Sequence, residues 1–211
     1  MRHIKYFVLT VSVILFSLVA CQDEFLDVAP TTSLSSTELS SAAGLEGTLI
    51  GAYSILLGRG GFYTDASNWF WGSVLGGDAN KGTNAGDQSQ VNEIQTYAAQ
   101  TNNGSIFEKY GRCYEGIART NATLRLVGVA TEAGQVGEAT LTRISAEARF
   151  LRGHYYFDLK RNFDNVPFVD ETWDEVTPVG NKEDIWPFIE ADFQFAFDNL
   201  PETQGEAGRA N

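Results

Sequence analysis

The sequence predicts an all-α fold of antiparallel helical hairpins, interrupted by one long irregular segment. Three observations predict it. Apolar residues recur at helical spacing over most of the chain, period-two alternation is scarce, and Gly, Asn, Asp and Pro gather between the periodic stretches. A length of 211 residues suits one domain or at most two. With 43% hydrophobic and 20% charged residues the chain can bury a core and is not globally disordered. Its net charge of −12 excludes a nucleic-acid partner, which needs a basic face. Two cysteines and two histidines cannot make a structural zinc site unaided, and no cofactor or metal is assigned.

Residues 1–20 read as an export signal. Arg2, His3 and Lys5 precede the apolar run 6–20, which is shorter than the roughly 20 residues of a membrane-spanning helix. The run ends in Leu18-Val19-Ala20-Cys21, which matches a bacterial lipobox with Cys21 as lipid attachment site. The alternative is an ordinary secretory signal that happens to contain a cysteine, but basic start, apolar core, Leu, small residue and Cys all fall in register for the lipobox. Lipidation of Cys21 would leave Cys113 without an intramolecular partner, so no disulfide is expected and Cys113 reads as a small buried apolar residue. Gln22-Asp23-Glu24 resembles the surface-export signal of Bacteroidetes-type lipoproteins, and otherwise reads as a solvated tether. Residues 21–36 form this tether, and 37–211 the helical domain.

The first helix is predicted over 36–57. Ser35 and Glu38 have capping-box spacing, and Leu45, Leu49, Ala52 and Leu56 form a stripe. Gly58-Arg59-Gly60-Gly61 stops it. Residues 62–103 are predicted irregular, with Trp69, Phe70 and Trp71 ahead of a Gly/Asn/Asp-rich run. Within that run, Asp78-x-Asn80-x-Gly82 resembles a calcium loop but fails at Thr83 and Ser89, where an EF-hand needs Gly and Glu. The next helix is predicted over 104–129, with Ile106, Tyr110, Cys113, Tyr114, Ile117, Asn121 and Leu124 on one stripe. After a polar break at 130–137, a longer helix covers 138–162. Leu141, Ile144, Ala148, Leu151, Tyr155 and Leu159 form its main stripe, while Phe150 and Phe157 give it a second apolar face. Asp164-Asn165-Val166-Pro167 ends it. The last helix is predicted over 183–199, or from Pro187 because proline is unsuited to a helix interior, and Pro201 closes it.

The run Ala146-Glu147-Ala148-Arg149-Phe150-Leu151-Arg152-Gly153-His154-Tyr155-Tyr156-Phe157-Asp158-Leu159, followed by Asn165-Val166-Pro167-Phe168-Val169, resembles a signature of the SusD/RagB family of outer-membrane nutrient-binding lipoproteins. Asp23-Glu24-Phe25-Leu26-Asp27, Ile185-Trp186-Pro187-Phe188-Ile189-Glu190-Ala191-Asp192 and Leu200-Pro201 agree with it. The resemblance implies a SusD-like fold of tetratricopeptide-like helix pairs supporting a loop-rich region. It also implies capture of glycans at the cell surface, lipid-anchored in the outer membrane, for a partner TonB-dependent transporter. Such a protein binds and does not cleave. Members are usually more than twice this length, so the chain reads as an N-terminal portion whose last helix lacks a packing partner and is prone to self-association.

Trp69 and Trp71, with Asp78, Asn80 and Asn84 close by, are the candidate glycan-binding residues. Sugar rings present apolar C–H faces to aromatic rings and hydroxyls to planar amides and carboxylates. The competing reading is that Trp69 and Phe70 are core plugs that pin the loop. Glu147, Arg149 and Arg152 lie on a helix buried on two sides, which favours internal ion pairs over contact with the transporter. His154 reads as a packed core histidine. Two other functions remain open. One is a truncated docking module without ligand binding of its own. The other is a glycosidase using paired carboxylates, although with 27 acidic residues proximity alone would mean nothing.

Overall fold

The computed structural model describes residues 35–58, 68–84 and 86–211. The export signal, Cys21 and the tether to Leu34 lie outside the described residues, as do Arg59, Gly60 and Gly61 of the first helix stop. The described elements are helical. They are α1 (Ser36–Leu39), α2 (Ala42–Tyr53), α3 (Ser89–Gln95), α4 (Gly104–Ala133), α5 (Glu138–Phe163) and α6 (Trp186–Asn199), with a 3-10 turn at Ser54–Leu57 and a π turn at Trp69–Val74.

The capping box forms, but it caps a single turn. Glu38 N donates to Ser35 Oγ (3.2 Å) and Ser35 N to Glu38 Oε2 (2.8 Å), and α1 stops at Leu39. Ser41 then caps α2, accepting from Gly44 N at 3.2 Å. Gly44 makes this corner feasible, because a Cβ there would lie 2.4 Å from the Leu39 carbonyl oxygen. The single helix predicted over 36–57 is therefore three pieces. Its end tightens into 3-10 geometry, which turns Ile55 inward (3% exposed) and leaves Leu56, predicted on the stripe, 39% exposed. Gly58 closes the segment at φ +66°.

α4 is capped by the Asn103 side chain, which accepts from Ser105 N and Ile106 N. It runs four residues beyond the predicted end. Nothing in Ala130-Thr131-Glu132-Ala133 breaks a helix, and Gly134 at φ +64° is the first residue that does. A short connection leads into α5. The pairs Lys109/Asp158, Gly116/Tyr155 and Asn121/Arg152 fall in reverse order, so α4 and α5 run antiparallel. α6 lies antiparallel on the other side of α5, with Phe157 against Trp186 (5.9 Å) and Phe150 against Phe193 (5.9 Å). The second apolar face predicted for this helix is thus used. α6 starts at Trp186 rather than at residue 183, placing Pro187 in the first turn where its missing N–H costs nothing.

The core is formed where α2, α4, α5 and α6 meet, around Leu45, Leu49, Ile117, Leu151, Tyr156 and Ile189. Cys113 is buried and free there, and burial pushes its thiol up to about 12. The faces of α6 are better covered than its aromatic content suggests. Phe188 stacks on Phe168 at 4.2 Å, and the Arg149 guanidinium lies 4.3 Å from the Phe195 ring. Phe197, 83% exposed, is the exception among the phenylalanines of α6.

Charged residues on the two-faced helix brace it, as its pattern predicts. Arg149 Nε and Arg152 Nε donate to the two oxygens of Asp192 on α6 (2.7 and 2.6 Å). Arg152 also donates to Asn121 Oδ1 (3.0 Å) and pairs with Glu171. Fully buried Glu147 accepts from the Tyr53 hydroxyl (2.7 Å) and pairs with Arg143 and Arg209.

Candidate functional site

The segment 68–99 is built on a small second core. Phe70 and Val74, four residues apart on the π turn, are buried against Val91 and Ile94 of α3. The turn carries the wider i→i+5 bond, Leu75 N donating to Phe70 O at 2.8 Å. Asn68 O accepts from Gly72 N at 2.7 Å at its start. At its end the Tyr97 hydroxyl donates to Leu75 O.

This packing separates the three aromatic residues. Phe70 is the plug. Trp69 stands at the surface, 39% exposed, with its ring edge-on to Phe70 at 5.7 Å. Trp71 is half-buried between Phe70 (4.9 Å) and Phe163 at the end of α5 (6.4 Å). Of the two candidate tryptophans, Trp69 offers the more accessible face.

Asp78, Asn80 and Asn84 are all exposed on the turns that follow. Asn80 Oδ1 accepts from Gly82 N (2.8 Å), and Asn84 Oδ1 from Gly86 N (3.0 Å) and Asp87 N (3.1 Å). Both carboxamide oxygens thus shape the loop, and each asparagine offers a ligand its N–H donors. Lys81 ties the loop down: its backbone N–H donates to Gln95 Oε1 (2.9 Å) and its ammonium to Asn84 O (2.7 Å) and Asp87 O. Gly77 and Gly82 take positive φ of +85° and +80°. Among the described residues, no group of three or more His, Cys, Asp or Glu is arranged to hold a metal ion.

Beneath the loop lies a buried ionic cluster that the helix stripes did not disclose. Lys109 on α4, 1% exposed, donates to Asp158 Oδ2 on α5 at 2.7 Å and to Asn68 Oδ1 at 3.3 Å. Arg161 donates to the other Asp158 oxygen at 3.0 Å. His154 is half-buried beside this cluster, edge-on to Tyr155 at 5.7 Å, and burial holds its pKa below 6.5. Sequence reasoning also passed over Tyr97, which is 76% exposed. An aromatic residue in a polar, turn-rich stretch was the available signal. An accessible indole thus stands on the π turn, with exposed amide and carboxylate groups on the turns that follow it.

A family model described as starch-binding and associating with the outer membrane, of the SusD-like type, matches residues 24–206. A SusD-like protein of Bacteroides ovatus is 30% identical over 98% of this chain and 36% of its own length. Among solved structures, the surface glycan-binding protein A of Bacteroides uniformis is similar with a TM-score of 0.64 and 26% identity, over 80% of this chain and 38% of that one. A laminarin-binding SusD-like protein matches with a TM-score of 0.63 and 22% identity, over 80% of this chain and 36% of that one. The chain therefore spans well under half the length of these relatives.

Proposed function

The chain belongs to the SusD-like family, and on that premise we propose that it is a cell-surface glycan-binding lipoprotein. It captures oligo- or polysaccharide and hands it to a partner TonB-dependent transporter in the outer membrane. The family is one of glycan-binding, non-catalytic proteins associated with the outer membrane. A laminarin-binding SusD-like protein and a surface glycan-binding protein are similar to it in structure, which supports the reading. Attachment to the membrane is assigned to a lipid on Cys21. Among the described residues no helix is long and apolar enough to cross a membrane.

The observation that carries the reading within this chain is Trp69. An indole 39% exposed, braced from behind by the fully buried Phe70, keeps an apolar face in water on a rigid base. A pyranose ring can cover that face, while the N–H donors of Asn80 and Asn84 and the carboxylate of Asp78 meet sugar hydroxyls. Affinity electrophoresis against starch and laminarin, followed by calorimetry, tests it. Trp69→Ala should weaken binding by about tenfold, the equivalent of about 1.4 kcal/mol of stacking and burial. Unchanged binding by that variant would remove Trp69 from the ligand surface. A parent protein that retains no glycan while still binding the transporter would favour the docking-module reading.

A further inference from the structure

We propose that Lys109 is a positioning residue for Trp69. Held by Asp158 within the helical frame, its buried ammonium grips Asn68 and thereby sets the π turn that presents Trp69. The proposal rests on the glycan-binding reading for its purpose, and on geometry for its mechanism.

The ion pair is costly where it stands. Lys109 and Asp158 have side chains only 1% and 4% exposed, and a buried pair commonly gives no more stability than apolar residues of equal size. Its bond to Asn68 gives it a further role. Asn68 directly precedes Trp69 and is held at two points, its Oδ1 accepting from Lys109 Nζ (3.3 Å) and its carbonyl from Gly72 N (2.7 Å). The second bond spans i to i+4 from the residue that caps the π turn to a residue within it, so fixing Asn68 fixes the entry to that turn. π geometry is rare and is seen mostly as single turns at functional sites, where surrounding contacts must maintain it. Here both ends are tied, Asn68 to Lys109 and Leu75 O to the Tyr97 hydroxyl. Lys109 bonds to Asp158 on α5 and to the loop at once, so the orientation of the exposed indole is referred to the α4–α5 hairpin.

Asn68→Ala is the main variant, because Asn68 is exposed and its loss leaves the Lys109–Asp158 pair intact. Two readouts are taken: laminarin affinity by calorimetry, and hydrogen exchange of the Gly72 and Leu75 amides without ligand. Loss of one hydrogen bond should raise Kd by about fivefold and quicken both amides by a similar factor. Asn68→Asp, which offers an oxygen to the same ammonium, should restore both. In a Trp69→Ala background Asn68→Ala should cost no further affinity. Lys109→Met should quicken the same amides if it folds, with Asn68→Leu as the substitute if it does not. Weakened binding with unchanged exchange would mean that Asn68 touches the glycan directly, and the proposal fails. Unchanged exchange and unchanged binding overturn it as well. If Trp69→Ala binds laminarin like the parent, the glycan-binding reading fails at this residue, and the exchange measurement still decides whether Lys109 holds the turn.

Discussion

Replacing Gly116 by alanine tests the close approach of α5 to α4. Gly116 lies in α4, and a Cβ there would sit 2.5 Å from Tyr155 Cε2 and 2.7 Å from Cζ. The ring cannot step aside freely. Tyr155 is 3% exposed, and its hydroxyl donates to the Ala52 carbonyl on α2 at 2.8 Å. Three effects set the magnitude. Alanine gains about 1 kcal/mol over glycine in a helix interior. Overpacking a filled core costs about 1–3 kcal/mol. If the ring moves, the bond to Ala52 is lost and a buried carbonyl is left bare, at about 1–3 kcal/mol more. The net expectation is destabilisation by about 2 kcal/mol, read as a fall of about 4–8 °C in thermal midpoint. Gly111 and Gly128 on the same helix are internal controls. A Cβ at either meets nothing within 4 Å, so Gly111→Ala and Gly128→Ala should stabilise by up to about 1 kcal/mol. Urea unfolding of the three variants separates the cases. With the ring removed by Tyr155→Ala, Gly116→Ala should become neutral or favourable. The reasoning is refuted if Gly116→Ala behaves like Gly128→Ala, or if its cost is the same with and without the Tyr155 ring.

Arg209→Ala should destabilise by about 1–3 kcal/mol in urea, because it removes one of two cations from the fully buried Glu147 and one of two from Glu46, leaving both to Arg143; an unchanged midpoint would mean that the segment near Ala210, whose N–H donates to the Tyr53 hydroxyl, is held without it. His154 is kept below 6.5 chiefly by burial, with Lys109 and Arg161 lowering it further and Asp158 opposing them, so the unfolded chain takes up its proton first and stability should fall as pH drops through 6.5. His154→Gln should flatten urea midpoints between about pH 7 and about pH 5.5, and equal slopes for variant and parent would remove His154 as the cause. Phe197, 83% exposed, borders an apolar groove of about 420 Å³ with Phe150, Phe193, Leu200 and Pro201; sedimentation should show association rising with concentration and abolished by Phe197→Ser, and a parent that stays monomeric throughout would sink that expectation.

The long helices were legible because burial on one or two faces imposes a 3.6-residue period. Leu151, Tyr155 and Leu159 recur at that period on α5, and all three are buried. Helix ends were less legible: the end of α4 was placed at 129, four residues short of the stop that Gly134 sets, and other ends were misread where a tertiary contact decides them. The corner after α1 depends on Leu39 meeting the bare backbone of Gly44, and capping-box spacing cannot show that the capped helix is one turn long. The loop was hidden for a related reason. The π turn spaces its bonds at five residues, so a 3.6-residue reading could not tell which of Trp69, Phe70 and Trp71 would be buried. Charges on α5 could be read as internal because a helix covered on two sides leaves them little water, yet their partners could not be named. Asp192 is 40 residues from Arg152, and Arg209 is 62 from Glu147. The Lys109–Asp158 pair, 49 residues apart, follows the same rule. Arg152 joins Asp192 on α6 to Glu171 in the connection before it, and Lys109 reaches the segment that carries Trp69, through Asn68. On the glycan-binding reading proposed above, a buried charge that bonds to both helix and loop would carry the rigidity of the frame to the segment that presents Trp69, so that the indole could meet a sugar without the cost of being ordered on binding.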